Sequence, residues 1–226
     1  MSSVNQLWPE DVFQSYLSGV KKTVREILLT APSCHDWDHT LRVYKMAHQI
    51  AVCEKANSQI VDLAALLHDI GRVQELADRG KTCHALLGAA MVPELLENAG
   101  VHDKNIIAQI AACVRTHRFR KRGLEEPATL EAQVLFDADK LDSLGAIGLA
   151  RSFHFAGHVG ARVHNTEAEA LASESYSRED TAYREYLVKL RYIPSRMFTV
   201  TGREFAQKRL VYMIDFFKEL ESEISL

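Results

Sequence analysis

The stretch HDWDHTLRV, residues 35 to 43, sets His35, Asp36, Asp38 and His39 within five positions, after which the chain turns apolar with helical spacing. Ordering so many ionisable groups costs desolvation and adds nothing to packing, so their presence asks for a chemical use. Residues of the same kinds recur downstream. His68 and Asp69 are adjacent in LLHDIGR, His84 and His117 stand apart, and Asp139 and Asp142 share the stretch DADKLDSLGA. Two imidazoles with two carboxylates suit a divalent ion of intermediate hardness, with Mn²⁺ first and Mg²⁺, Co²⁺, Fe²⁺ or Ni²⁺ as alternatives. A structural zinc site would more often use cysteines. Cys34, Cys53, Cys83 and Cys113 are scattered instead, with no CxxC pair, and read as reduced thiols of a cytoplasmic protein.

The 226 residues suffice for one large domain, and 47% hydrophobic content is ample for a buried core. A net charge of -3 gives no global basic field to draw the chain to nucleic acid or an anionic membrane. The opening MSSVNQLWPEDVFQSYL lacks a basic start followed by an apolar core, so no signal peptide is expected. No apolar run approaches the roughly 20 residues of a membrane-spanning helix.

The elements that must position the histidines and aspartates read as helices. Val43, Met46, Ala47 and Ile50 share one face, as do Ile60, Leu63, Ala64 and Leu67, then Ile106, Ile110 and Val114, then Leu130, Val134, Ala138 and Leu141. Ala206, Leu210, Met213, Phe217, Leu220 and Ile224 repeat the spacing near the end. Breaks fall at 30–34, 69–72, 97–103 and 120–127, and the polar stretch HNTEAEALASES (164–175) reads as a loop or excursion. No sustained two-residue alternation argues for a sheet. The expectation is an all-α protein, a single domain over 1–226. Its core helical bundle lies in about 33–150, with a C-terminal helical extension in about 151–226.

Placed on these stripes, several ionisable groups point inward. His39 continues the face of Val43 and Ile50, Arg42 lies on that face too, and His48 should face water. His68 lies one turn past Ala64. His84 leads a stripe of Leu87, Gly88, Met91 and Leu95, His117 closes that of Ile110 and Val114, and Asp139 follows Leu135 by one turn. A lone histidine on an apolar face is usually a satisfied core residue. Several together must pair with one another or with an ion, because an unpaired buried charge costs several kcal/mol. A metal site inside a helical bundle has this pattern.

HTLRV, LLHDIGR and DADKLDSLGA resemble the His, His-Asp and Asp motifs of the HD-domain metal-dependent phosphohydrolases over residues 35 to 150. FAGH (155–158) and TVTGREFAQKRL (199–210) are similar to the C-terminal half of one bacterial branch, the hydrolases similar to deoxynucleoside triphosphate pyrophosphohydrolases. The resemblance implies an HD fold, a divalent cofactor and the metal ligands His39, His68, Asp69 and Asp139. Asp36 or Asp38 would then cap the helix carrying His39 or orient its ring. His35 and Trp37 either line the entrance to the site or are only loop residues, and the second reading is preferred. Many nucleotidases of the superfamily carry an acid four residues after the His of the His-Asp pair; this chain has Arg72 there. Glu75, one turn on, is a weak substitute.

A phosphoanhydride repels hydroxide, so its hydrolysis needs a prepared nucleophile and neutralised oxygens, both of which a divalent ion can supply. His84, His117 and Asp142 are the candidate catalytic groups, and Arg42, Arg72, Lys140 and Arg209 the candidate contacts to substrate oxygens. Arg72 could equally form a salt bridge at a helix end. In two-metal relatives the order is His, His-Asp, His, His, Asp, which this chain reproduces; one metal is preferred because the more similar branch is mononuclear. RTHRFRKR adds Arg115, Arg118, Arg120, Lys121 and Arg122, which could steer a polyanion. With only Phe119 for stacking, a nucleic-acid partner is not expected. The expected reaction converts a (deoxy)nucleoside triphosphate to monophosphate and pyrophosphate. A 5'-nucleotidase, a phosphodiesterase or a non-catalytic nucleotide sensor is the alternative. The partner is a small-molecule nucleotide, with a homodimer left open. Arg209, inward on the last stripe, needs an anionic partner: a buried carboxylate or the substrate's phosphates.

Overall fold

A computed structural model of the chain describes residues 6–31, 35–78, 81–118 and 125–225. They form eleven α-helices and three short 3-10 turns, with no strand among the described residues, as the all-α expectation required. The helices are α1 (Glu10–Ile27), α2 (Trp37–Glu54), α3 (Ser58–Leu67), α4 (Arg72–Ala77), α5 (His84–Asn98), α6 (Lys104–Thr116), α7 (Leu130–Leu141), α8 (Gly145–His158), α9 (Glu167–Ala172), α10 (Ala182–Val188) and α11 (Val200–Ile224). Contacts divide the chain into two compact units, 1–139 and 140–226. The division falls inside α7. No described helix is long and apolar enough to cross a membrane.

In the first unit α3 is central, with α1, α2 and α6 packed against it. Residues 59 to 67 are all buried, the polar Gln59 and Asp62 included, so α3 is covered on every side rather than striped. Leu63, Leu66 and Leu67 have no exposed surface there, and truncating any one to alanine would cost about 2–5 kcal/mol. Asn57 starts α3, its side chain accepting from the backbone N–H of Gln59 and Ile60 at 3.1 Å each. α2 starts on Asp36, whose Oδ1 accepts from the His39 N–H at 3.0 Å, and ends at Lys55 in the left-handed region, φ 60°. α6 starts on Asp103. α1 is amphipathic and buries Phe13, Leu17, Val20 and Val24.

Two stripes differ from expectation. α5 buries His84, Ala85, Gly88, Ala89, Val92 and Leu96, a face rotated from the Leu87–Met91–Leu95 line, whose members are only half-buried. The small residues Ala85, Gly88 and Ala89 permit the close approach of α6, and that packing sets the rotation. Leu130, at the start of α7, is 37% exposed, while Val134, Ala138 and Leu141 are buried.

In the second unit α11 packs on α8, and α10 on α8 and α9. α11 buries Gly202, Ala206, Met213 and Phe217, with Phe217 against the rings of Tyr183 and Tyr186 at centroid distances of 5.2 and 4.7 Å. Leu210 and Leu220 are half-buried, and Ile224, near the fraying end, is exposed. The stretch 164–175, read from sequence as a loop, holds the short helix α9. A capping box starts it: Thr166 Oγ1 accepts from the Glu169 N–H at 3.2 Å, and Glu169 Oε2 accepts from the Thr166 N–H at 2.8 Å.

Candidate metal centre

The ends of α2, α3 and α7 bring four side chains of the first unit together. His39 sits in the first turn of α2, His68 and Asp69 directly follow α3, and Asp139 lies near the end of α7. His39 Nε2 is 3.2 Å from His68 Nε2, and both stand 3.6 Å from Asp69 Oδ2. Asp139 Oδ1 lies 3.6 Å from His39 Nε2 and 4.0 Å from His68 Nε2. Ligand atoms about 2.1 Å from an ion stand about 3.0 Å apart in an octahedral array and about 3.4 Å apart in a tetrahedral one. The observed separations fit one ion among these four donors. His68 Nδ1 donates to the Ala65 carbonyl at 2.8 Å, which leaves its Nε2 lone pair for the centre.

A second triad adjoins that of His39, His68 and Asp139. Asp69 turns Oδ1 toward His84 Nε2 at 3.5 Å and His117 Nε2 at 3.7 Å, and those two nitrogens are 3.2 Å apart. His84 opens α5 and His117 closes α6. Gly71 permits this arrangement: a Cβ there would lie 2.4 Å from the His84 carbonyl oxygen, so only glycine lets the turn after α3 sit on the start of α5.

The electrostatics suit a cation. Burial alone would raise the Asp69 carboxyl, but Arg72, His68 and His35 outweigh it and hold the group well below the usual carboxylate range. Burial, only partly offset by Asp69 and Asp139, lowers His68 to about 4. His84 is pushed down by burial and by the neighbouring His117. At neutral pH Asp69 is thus ionised, and His68 and His84 are neutral in the absence of a bound cation, the forms that metal ligation requires.

His35 is no bystander. Its Nδ1 is 2.8 Å from Asp69 Oδ2, and burial takes it to about 4. His35 lies in the loop before α2, as its loop reading has it, yet that loop turns its ring onto Asp69. The polar run before α2 could be read as a cap but not as a contact across 34 residues. Arg72 pairs with Asp69 Oδ1 at 3.1 Å and Glu75 Oε2 at 2.7 Å, while its Nε is buried without a hydrogen-bond partner. Glu75, read from the sequence only as a weak substitute for the missing acid, is 7% exposed and joins three segments. Besides Arg72 it meets His84 Nδ1 at 2.8 Å and accepts from Arg118 at 3.0 Å. Arg118 also donates to Cys83 Sγ at 3.1 Å. The i, i+3 spacing of Arg72 and Glu75 was the one local signal for this cluster.

Arg42 is half-buried, not fully inward. Asp142 and Arg209 belong to the second unit, as does the half-buried Lys140. Asp142 Oδ2 accepts from Arg151 at 2.7 Å. The Arg209 guanidinium donates to the Leu141 carbonyl and its stem lies on Gly145, which has φ +71°. Its hydrogen bond thus goes to a backbone oxygen, and the carboxylate that acts on it is that of Asp142. Burial lowers the Arg209 pKa, and Asp142 opposes that. His48 is exposed, as expected, yet its Nδ1 is 3.0 Å from the buried Asp62 Oδ2. Asp38 is exposed, and Asp36 alone caps α2. Arg115 is exposed. Cys34, Phe119, Arg120, Lys121 and Arg122 lie outside the described residues, and Cys53, Cys83 and Cys113 are free thiols.

Comparison with known proteins agrees with this geometry. Residues 36–144 match the HD domain family and enclose both triads. Bacillus subtilis YpgQ is 36% identical over 207 residues, 91% of this chain and 92% of that protein. The crystal structure of B. subtilis YpgQ in complex with ADP matches with a TM-score of 0.72 at 28% identity, covering 94% of this chain and 96% of that chain. An HD-superfamily hydrolase from Bacillus thuringiensis matches with a TM-score of 0.72 at 27% identity, covering 94% and 98% respectively.

Proposed function

The chain belongs to the HD domain superfamily of hydrolases, and on that footing we propose that it is a metal-dependent phosphohydrolase cleaving (deoxy)nucleoside triphosphates to monophosphate and pyrophosphate. The observation that carries the reading is the convergence of His39, His68, Asp69 and Asp139, whose ligand atoms stand 3.2 to 4.0 Å apart in the measured pairs. These four are the proposed ligands, with Mn²⁺ the first candidate ion. Bound there, a divalent ion lowers the pKa of water and draws charge from a phosphoryl oxygen.

The chain's own groups do the rest. Arg72 and Arg118 both act on His84 to disfavour its charged form, so positive charge already gathers beside the second triad. That favours an anion, and the buried Arg72 Nε, lacking an acceptor within the protein, offers a donor to a phosphate oxygen. His84 and His117 commit their Nδ1 atoms to other acceptors, which leaves their facing Nε2 atoms to take a proton from a water and hand one to a leaving oxygen. In the proposed reaction a water oxygen bonds to the α-phosphorus and yields its proton to the paired Nε2 atoms, the bond to the oxygen bridging the β-phosphate breaks, and the pair passes a proton to the departing pyrophosphate. ADP bound to YpgQ supports a substrate with a phosphate chain.

A second reading has a specific observation behind it. Asp69 faces both triads, one oxygen to each, as a bridging ligand between two ions would. The guanidinium of Arg72 on Oδ1 weighs against it, because it occupies with fixed charge the place a second ion would share. A nucleotide panel assayed with Mn²⁺, measuring phosphate and pyrophosphate separately, tests the main reading. Pyrophosphate from triphosphates is expected. Orthophosphate from monophosphates alone would replace it with a nucleotidase.

A further inference from the structure

We propose that Glu75 is a positioning residue for this site: its carboxylate fixes the His84 ring with the proton on Nδ1 and holds the Arg72 and Arg118 guanidiniums beside it. The proposal rests on the phosphohydrolase reading only for what the positioned groups then do.

Glu75 lies on the short α4, one turn past Arg72, and α4 packs on α5 at the end that begins with His84. Its Oε2 is 2.8 Å from His84 Nδ1 and 2.7 Å from Arg72, and its Oε1 is 3.0 Å from Arg118. Three donors from three segments thus converge on one buried carboxylate. A water-activating base needs an oxygen turned to substrate, and both oxygens here are committed to protein donors. What the carboxylate does determine is the histidine. A neutral imidazole can carry its proton on either nitrogen. An anionic acceptor at Nδ1 selects the tautomer whose Nε2 lone pair faces His117 and Asp69, and it also fixes the ring plane. The same carboxylate balances two guanidiniums that would otherwise repel each other in a largely buried place. Two positive charges and one ring are set by a group that need not touch substrate.

Two variants test this, Glu75→Gln and Glu75→Asp, each loaded with Mg²⁺, or with Zn²⁺ if Mg²⁺ does not bind. Both ions are diamagnetic, so ¹⁵N NMR of histidine-labelled protein can report the His84 tautomer. The wild type should show His84 protonated on Nδ1. Glu75→Gln should mix the tautomers, keep the full metal content, and lose about 10- to 100-fold in kcat. Glu75→Asp, which keeps the charge but is shorter, should fall between Gln and wild type in both readouts. A wild-type tautomer or a wild-type kcat in Glu75→Gln overturns the proposal. If Glu75→Gln does not fold, Glu75→Asp decides: intermediate values uphold the proposal and wild-type values overturn it. If the wild type does not hydrolyse triphosphates, a tautomer change in the variants still upholds the role of Glu75, and the failure falls on the substrate reading.

Discussion

His84 and His117 face each other through Nε2 atoms 3.2 Å apart, while each commits Nδ1 elsewhere, His84 to Glu75 at 2.8 Å and His117 to the Val114 carbonyl at 2.6 Å. Carboxylate and carbonyl oxygens only accept, so both Nδ1 atoms donate and both Nε2 atoms present lone pairs. Two lone pairs at that distance repel unless a cation stands between them. The pair therefore has a built-in demand for one positive charge, a proton in the main reading and an ion in the other.

That demand separates the two readings. With one ion, His117→Ala should leave the bound metal unchanged and lower kcat by about 10²- to 10⁴-fold, the usual weight of a general acid. With two, the same substitution should halve the metal content. Elemental analysis of dialysed protein, beside steady-state kinetics, distinguishes them.

His68→Ala and Asp69→Ala should each remove bound metal and reduce hydrolysis to background. Both groups are almost wholly buried, so some loss of stability accompanies the change, but the packed faces of α2, α3 and α6 remain. Far-UV circular dichroism should therefore stay helical. Full activity in either variant would sink the ligand assignment.

Arg209→Met should lower the melting temperature and leave kinetics per folded molecule unchanged. The guanidinium serves the Leu141 carbonyl, and a hydrogen bond to a charged donor is worth about 1–3 kcal/mol, with the lower end apt for a half-buried group. A normal melting curve with kcat/KM down by about 10-fold or more would mark a phosphate contact instead.

Asp62 lends the fold a pH dependence separate from the metal centre. Burial raises its carboxyl to about 6, with His48 and Lys21 pulling the other way. An acid whose folded pKa lies above its unfolded value binds more protons when folded. Its contribution is thus most favourable below about pH 4 and is lost as the pH rises to about 6, by an amount on the order of 2 kcal/mol. Asp62→Asn should remove that slope. Melting temperatures of both proteins from pH 4 to 7 should converge at the acid end and separate, with the variant higher, toward neutrality.

Much of this molecule is local in origin and therefore legible in its residues. The helices follow from apolar spacing, and their starts from Asp36, Asn57, Asp103 and Thr199, whose side chains accept from the first turn. Thr166 and Glu169 carried such a signal too, yet the polar run around them read as loop. Where packing sets the phase, spacing misleads. α5 turns Ala85, Ala89 and Val92 inward, because small residues let α6 approach where the Leu87 line would not.

Helix periodicity and donor chemistry are properties of short stretches, so an all-α chain bearing histidines and aspartates in the HD order can be read from the residues. Tertiary structure alone decided which atoms meet. Asp69 serves two triads, His35 closes on it across 34 residues, and Glu75 gathers Arg72, His84 and Arg118. Those relationships depend on where separate helices end in space, and the directions of their side chains emerge only once a shared core has fixed the helices against one another.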